Sequence, residues 1–333
     1  MSISIKDVAK EAKVSIATVS RVLNGIEVVN EETQKRVREA VDKLGYRPNI
    51  IARSLKTQKT RTIGILIPDI SNSLYPEIVR GIEDVANIYN YNIILCNSDL
   101  NLSKEKEYIY VLKEKMVDGL LFMSNSLDDD VLEILQKMNM KTVLIETTVE
   151  NKDIPNIPNI TINNIAAAKE GTNKLILNGR KRILYIGDHK DTYNASAYRF
   201  KGYTEALEEN NIKLDEDLIC FCKPFLNNGY EYVQKKIQDN VKFDGIFCTC
   251  DELAMGAINA LRENNINVPN DCEVIGFNNT LMSSAFYPKL TTVDPSSYDL
   301  GSIGMRMLLK IINNEQVDNY VVTHNIVERE STK

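Results

Sequence analysis

The chain has 333 residues, 43% of them hydrophobic and 26% charged, with a formal net charge of −6. That length exceeds one compact core and implies two or three domains, and the composition excludes wholesale disorder and a collagen-like fibre. No apolar run approaches the roughly 20 residues of a membrane span. Met1-Ser2-Ile3-Ser4-Ile5-Lys6-Asp7 lacks the apolar stretch of a secretory signal, so a cytoplasmic protein with no membrane partner is expected.

Charge is distributed unevenly. Residues 1–61 hold 13 Lys+Arg against 7 Asp+Glu, and the remainder holds 27 against 39. A small basic head on an acidic body points to a polyanion at one end. Ile5 to Ala12 reads as a short amphipathic helix with Val8, Ala9 and Ala12 on one face. After a break at Lys13-Val14, Ser15 can cap a second helix, Ile16 to Leu23, which stops at Asn24-Gly25. A third helix is predicted from about Asn30 to Leu44, ended by Gly45. Two short helices joined by a tight turn and braced by a third make a helix-turn-helix, although the periodicity alone fits any small three-helix bundle.

The stretch IKDVAKEAKVSIATVSRVLNG followed by LGYRPNIIARSL resembles the DNA-binding head of the lactose-repressor family of bacterial regulators. The resemblance implies that the second helix enters the major groove of operator DNA. Ile16, Ala17 and Arg21 then fall on base-reading positions, and Thr18 and Ser20 on phosphate-contacting ones. The chemistry agrees: arginine can bridge guanine O6 and N7, and hydroxyls hold phosphates without reading sequence. Pro48 bars helix continuation, and Asn49 can cap a short helix to about Leu55. So short a helix is not stable alone in water, so it is expected to fold on binding DNA. By resemblance this hinge pairs across a homodimer, with Asn49, Ala52 and Arg53 facing DNA and Leu55 wedged into a minor-groove step. A plain linker is the alternative.

From Thr62 onward apolar strand-like runs alternate with amphipathic helices, which signifies a parallel α/β body. Strands are predicted at Ile63–Ile67, Asn92–Cys96, Gly119–Met123, Thr142–Ile145, Arg182–Ile186, Gly245–Cys248 and Glu273–Phe277. About four units precede Pro155-Asn156-Ile157-Pro158 and four follow, giving two subdomains with a ligand cleft between them. The resemblance implies the two-lobed, periplasmic-binding-protein-like core. The expected organisation is a helix-turn-helix domain at 1–48 and a hinge helix and linker at 49–61. A first subdomain follows at 62–161 plus about 290–322, and a second at 162–289 plus about 323–333.

Pro68-Asp69-Ile70-Ser71-Asn72 lacks the glycine-rich cradle of a dinucleotide site, and no nucleophile or acid–base constellation appears, so an enzyme is not expected. No cofactor or metal is expected either. The six cysteines include Cys220-Phe221-Cys222 and Cys248-Thr249-Cys250, whose one-residue gaps are short for zinc and whose apolar flanks suit core thiols. His189 and His324 lie far from both pairs.

Ser71, Asn72, Ser73, Tyr75, Arg199, Asp251 and Asn278 match positions where family members hold a small effector such as a sugar phosphate. Arg199 and Asp251 could equally brace the lobes. Where the family commonly has Gly-Phe-Asp, this chain has Gly276-Phe277-Asn278, which removes a carboxylate that grips hydroxyls. The wider match, including PDISNSLYPEIVRGIEDVANIYNYNIILCNSD and YDLGSIGMRMLLK, is to the branch of the family that governs carbon catabolite repression. That branch answers to serine-phosphorylated HPr. The resemblance places Asp84, Ile88, Tyr89, Tyr298, Asp299, Arg306 and Lys310 on the HPr-facing surface. In a helix from Pro295 to Ile312, Asp299, Arg306 and Lys310 share one face, and the two cations could clamp a phosphate. Without the resemblance they read as solvated basic residues.

Overall fold

A computed structural model describes residues 3–23, 29–46, 59–124, 127–147, 154–188 and 195–333. The hinge positions Asn49, Ala52, Arg53 and Leu55 lie outside the described residues. The chain divides into two compact units, residues 1–60 and 61–333.

The first unit contains α1 (Ile5–Glu11), α2 (Ile16–Leu23) and α3 (Glu31–Leu44). Ser15 Oγ accepts a hydrogen bond from the Thr18 N–H at 3.1 Å, and Asn30 Oδ1 accepts from the Thr33 N–H at 2.8 Å. Both caps satisfy donors that a helix start leaves open. Gly45 ends α3 in the left-handed region at φ 62°, which costs glycine nothing. Val8, Ala9, Ala12, Val19, Val22, Val37 and Ala40 form the small core, the helical spacing having put them on facing stripes.

In the second unit two sheets of six strands repeat one winding. The first is built from β1 (Thr62–Ile67), α4 (Leu74–Ile88), β2 (Asn92–Asn97), α5 (Leu102–Glu114), β3 (Gly119–Phe122), α6 (Asp129–Lys137), β4 (Thr142–Ile145) and β5 (Asn159–Ile162). The second is built from α7 (Asn164–Leu177), β6 (Ile183–Gly187), α8 (Ala195–Glu209), β7 (Ile219–Phe221), α9 (Leu226–Gln238), β8 (Gly245–Cys248), α10 (Asp251–Glu263), β9 (Glu273–Phe277), α11 (Leu281–Ala285) and β10 (Thr291–Asp294). The chain then runs through α12 (Ser297–Ile312), β11 (Tyr320–Val322) and β12 (Asn325–Val327). The strand orders are β11-β5-β4-β3-β1-β2 and β12-β10-β9-β8-β6-β7, parallel except for the antiparallel β10–β12 pair.

Order reverses between β1 and β3 and again between β6 and β8, and loops leaving the carboxyl ends of those strands are where such sheets hold ligands. The chain passes between the sheets near residues 163, 295–296 and 323–324. The expected return to the first subdomain at about 290 therefore falls later. Thr291–Asp294 pairs with β9, and buried Thr291 and Thr292 bond through their hydroxyls to Thr332 and Asp251. The helix expected from Pro295 begins at Ser297, because Ser296 turns through φ 54°.

α12 packs along α4 against β3, β4 and β5, burying Leu300, Met305 and Leu308 with Ile78, Ile82 and Val85. The helices approach so closely that a Cβ at Gly81 would lie 2.1 Å from Tyr298 O, and one at Gly301 would lie 1.9 Å from Ile78 O. Only glycine fits at either position. All six cysteines are free, five are buried and Cys222 is half-buried, within or against one apolar cluster except for Cys96 in another. Among the described residues, no cluster of His, Cys, Asp and Glu could hold a metal, and no helix is long and apolar enough to cross a membrane.

Candidate functional site

α2 turns Val19 and Val22 inward, which forces Ile16, Ala17 and Arg21 outward, with Thr18 and Ser20 half-buried beside them. The five sequence-derived contact residues thus share the outer side of one short helix. An exposed arginine and an apolar pair beside two hydroxyls can read a base edge and hold the backbone.

The residues expected in the cleft separate into two layers. Ser71, Ser73 and Asn278 line a cavity of about 670 Å³, and Asn72 uses Oδ1 to accept from the Leu74 N–H at 3.0 Å at the start of α4. Tyr75, Arg199 and Asp251 are buried, away from the cavity lining. Arg199 Nε donates to Asn164 Oδ1 at 2.8 Å, its Nη1 donates to Thr249 O at 2.7 Å, and the guanidinium lies 3.6 Å from the Phe277 ring centroid. Burial lowers the Arg199 pKa, and the nearby Glu146 carboxylate works against that. The Tyr75 hydroxyl is held far above its ordinary value by burial first and then by Glu146, with Arg199 opposing.

Asp251 takes its hydrogen bonds from inside its own subdomain. Its Oδ2 accepts from Thr280 N at 2.7 Å and Thr280 Oγ1 at 2.9 Å, and its Oδ1 accepts from Thr292 Oγ1 at 2.6 Å. Burial nonetheless pushes its carboxyl up to about 7, against all three hydrogen bonds. The geometry ties Asp251 within the second subdomain rather than between the lobes, and a ligand would have to displace a bond that the buried acid needs.

Sequence reasoning missed Glu146, which follows β4. Its Oε1 accepts from Thr161 Oγ1 at 2.9 Å and Ile162 N at 2.8 Å, and Oε2 faces Asn164 Nδ2 at 3.4 Å. It also missed Glu77, Asp294 and Ser297 in the cavity wall. The signal for Glu146 and Asp294 was available, since each sits at the carboxyl end of a strand. Among the described lining residues the cavity carries Glu77, Asp294 and Asp299 and no Lys, Arg or His.

The residues expected to face a partner lie along the α4–α12 seam. Tyr298 Oη donates to Asp84 Oδ2 at 3.0 Å, and Arg80 Nε stands 3.6 Å from Asp84 Oδ1. The hydrogen bond to Asp84 raises the Tyr298 pKa, with Arg80 and Arg306 opposing. Asp299, Arg306 and Lys310 are exposed along α12, and Ile88 and Tyr89 are exposed at the end of α4. Arg306 and Lys310 form no ion pair among the described residues. One helical turn apart and unneutralised, they can donate to one anion together.

Residues 4–49 match the family described as bacterial regulatory proteins, lacI family, and residues 172–332 match the periplasmic binding protein-like domain. The HTH-type transcriptional regulator RegA of Clostridium saccharobutylicum is 57% identical over 334 residues, covering 100% of both chains. Catabolite control protein A of Priestia megaterium is 42% identical over 338 residues, again covering 100% of both. The crystal structure of the transcription regulator CcpA of Lactococcus lactis superposes with a TM-score of 0.75 at 33% identity, covering 82% of this chain and 99% of that one.

Proposed function

The chain belongs to the lacI family of bacterial regulatory proteins, and we propose that this DNA-binding transcriptional regulator is switched by a phosphorylated protein docking on α4 and α12. The partner is serine-phosphorylated HPr, the effect is tighter operator binding, and the process is carbon catabolite repression. The unneutralised Arg306–Lys310 pair beside the Tyr298–Asp84 hydrogen bond carries this reading. A phosphoserine brings nearly two negative charges and three acceptor oxygens, which two adjacent cations match. The 42% identity with catabolite control protein A over the full chain supports it.

The operator is pseudo-palindromic and the protein a homodimer, because two heads related by a twofold axis read inverted half-sites. Leu281 and Tyr287, 84% and 77% exposed on and just after α11, offer apolar surface to a second copy. A second reading, a sugar or sugar phosphate acting through the cleft, draws on the cavity bounded by both subdomains. Either effector acts by binding one conformation better than the other.

Fluorescence anisotropy of labelled operator, titrated with protein alone and with phosphorylated HPr, unphosphorylated HPr or glucose 6-phosphate, tests the choice. Phosphorylated HPr alone should raise operator affinity, and Arg306→Ala should abolish that rise while leaving basal affinity unchanged. Losing a charge-assisted bond of about 1.5–3 kcal/mol weakens the partner roughly tenfold or more. Linkage also requires operator to tighten HPr-phosphate binding by the same factor. An undiminished response in Arg306→Ala would remove the docking site from this face.

A further inference from the structure

Two of the six free cysteines form a pair. Cys220 lies in β7, an edge strand of the second sheet, and Cys222 lies one residue past its end, so the two share a face of the strand. Both pack in or against the apolar cluster that holds Val233 of α9 and Leu253 of α10. A hydrogen bond joins the two thiols. It holds Cys222 below the usual thiol range, against burial and the Asp188 carboxylate, and with burial it holds Cys220 above that range. Cys222 is the one cysteine that is not buried, whereas Cys248, Cys250 and Cys272 are at most 4% exposed.

The backbone permits these sulfurs to join. Two residues of extended chain span about 6.6 Å, inside the roughly 4.4–6.8 Å between Cα atoms that a disulfide bridges. Cys220 is in register with Ile186 of β6, and Cys222 N donates to Gly187 O at 2.7 Å. Among the described residues β7 has no strand on its other side, so its end can pucker without disturbing a second ladder.

We propose that Cys220 and Cys222 form a thiol modification site that a hydroperoxide converts to an intrastrand disulfide. The Cys222 thiolate attacks the peroxide; an S–O bond forms, the O–O bond breaks, and the departing oxygen takes a proton as water or alcohol. Once Cys222 is a neutral sulfenic acid, the thiolate that kept Cys220 protonated is gone, and Lys236 of α9 favours ionisation of Cys220. The Cys220 sulfur then attacks that of Cys222; the S–S bond forms, the S–O bond breaks, and hydroxide leaves with the Cys220 proton as water. Closure draws Cys222 toward Cys220 and pulls on Gly187. The next residue, Asp188, donates from its N–H to Ser196 Oγ at 2.9 Å, so the pull reaches the first turn of α8, three residues before Arg199. The site lies away from the α4–α12 seam, and the inference does not rest on the partner reading.

Alkylation and peptide mass mapping of the full chain test it. In the reduced native protein, Cys222 should react with iodoacetamide about tenfold or more faster than Cys248. A modest excess of hydrogen peroxide should leave the peptide holding Cys220 and Cys222 two hydrogens lighter, and dithiothreitol should restore it. Cys220→Ser should stop the reaction at a Cys222 sulfenic acid that dimedone traps, and Cys222→Ser should leave Cys220 reduced. Three results on the unsubstituted chain each overturn the proposal: Cys222 alkylating no faster than Cys248, the peroxide-treated peptide keeping two free thiols, or Cys222 advancing to sulfinic acid beside a free Cys220.

Discussion

Gly301→Ala tests whether the spacing of α4 and α12 sustains the surface proposed to dock the partner. The added Cβ would lie 1.9 Å from Ile78 O and 2.8 Å from Ile78 C, both backbone atoms in the middle of α4. A carbonyl held in a helix cannot rotate aside, so α12 must withdraw by about 1 Å or more to reach a tolerable contact. Overpacking of this kind costs about 3 kcal/mol or more, and the better helix propensity of alanine returns about 1 kcal/mol. The net loss of about 2 kcal/mol should lower the melting temperature of the body by about 4–8 °C. The same withdrawal breaks the 3.0 Å Tyr298–Asp84 bond and moves Arg306 and Lys310 away from α4, so affinity for phosphorylated HPr should fall with it. Gly119→Ala is the control. Its Cβ meets Leu308 Cδ1 at 2.8 Å, a side-chain tip that can move, and its penalty should be smaller. Calorimetric melting together with partner titration decides the matter. A Gly301→Ala protein melting within 1 °C of the parent would refute the reasoning.

Two other substitutions examine the head and the buried acid. Arg21→Ala should cost about 1–3 kcal/mol of operator binding and relax base preference in each half-site. Equal losses on operator and random DNA, measured by anisotropy, would make Arg21 a phosphate contact. For Asp251, the folded pKa of about 7 lies above the ordinary 3.8, so the folded state holds the extra proton between those values. Its contribution is fully present below about pH 4 and is lost as pH rises through 7, a fall of roughly 4 kcal/mol at most. Asp251→Asn should flatten that part of the stability profile. Urea unfolding from pH 4 to 8 with the parent slope intact in the variant would contradict it.

The elements legible in the sequence were those whose burial pattern is local. β1, β3, β8 and β9 are buried almost throughout and read as continuous apolar runs, and α1 to α3 carry their own caps. β5, β7, β10, β11 and β12 were not legible, being three or four residues long and, in Thr291-Thr292-Val293-Asp294, mostly polar. Those threonines are buried because Asp251 and Thr332, 41 residues away in either direction, supply their partners, which no local window contains. Shorter but still non-local separations hid the Thr280 bond to Asp251 and the Glu146 contact with Asn164. Ser71, Ser73 and Asn278, and Arg306 with Lys310, were reached through the family resemblance; strand ends and four-residue spacing agree with those positions but do not by themselves single them out.

α12 lies at a junction between the two subdomains. It packs on the first sheet, yet it starts directly after β10 of the second, at a passage between subdomains. Its first turn supplies Ser297, Tyr298 and Asp299 to the cavity wall, and three turns later it presents Lys310 on the same exposed side as Arg306. Tyr298 belongs to both places, lining the cavity and bonding to Asp84 on the seam. An effector in this cavity and a partner docked on α12, if both bind, would act on one helix whose distance from α4 is fixed by glycine contacts. Coupling between them is then set by whether both favour the same placement of α12, and by linkage its sign must be identical whichever ligand is added first.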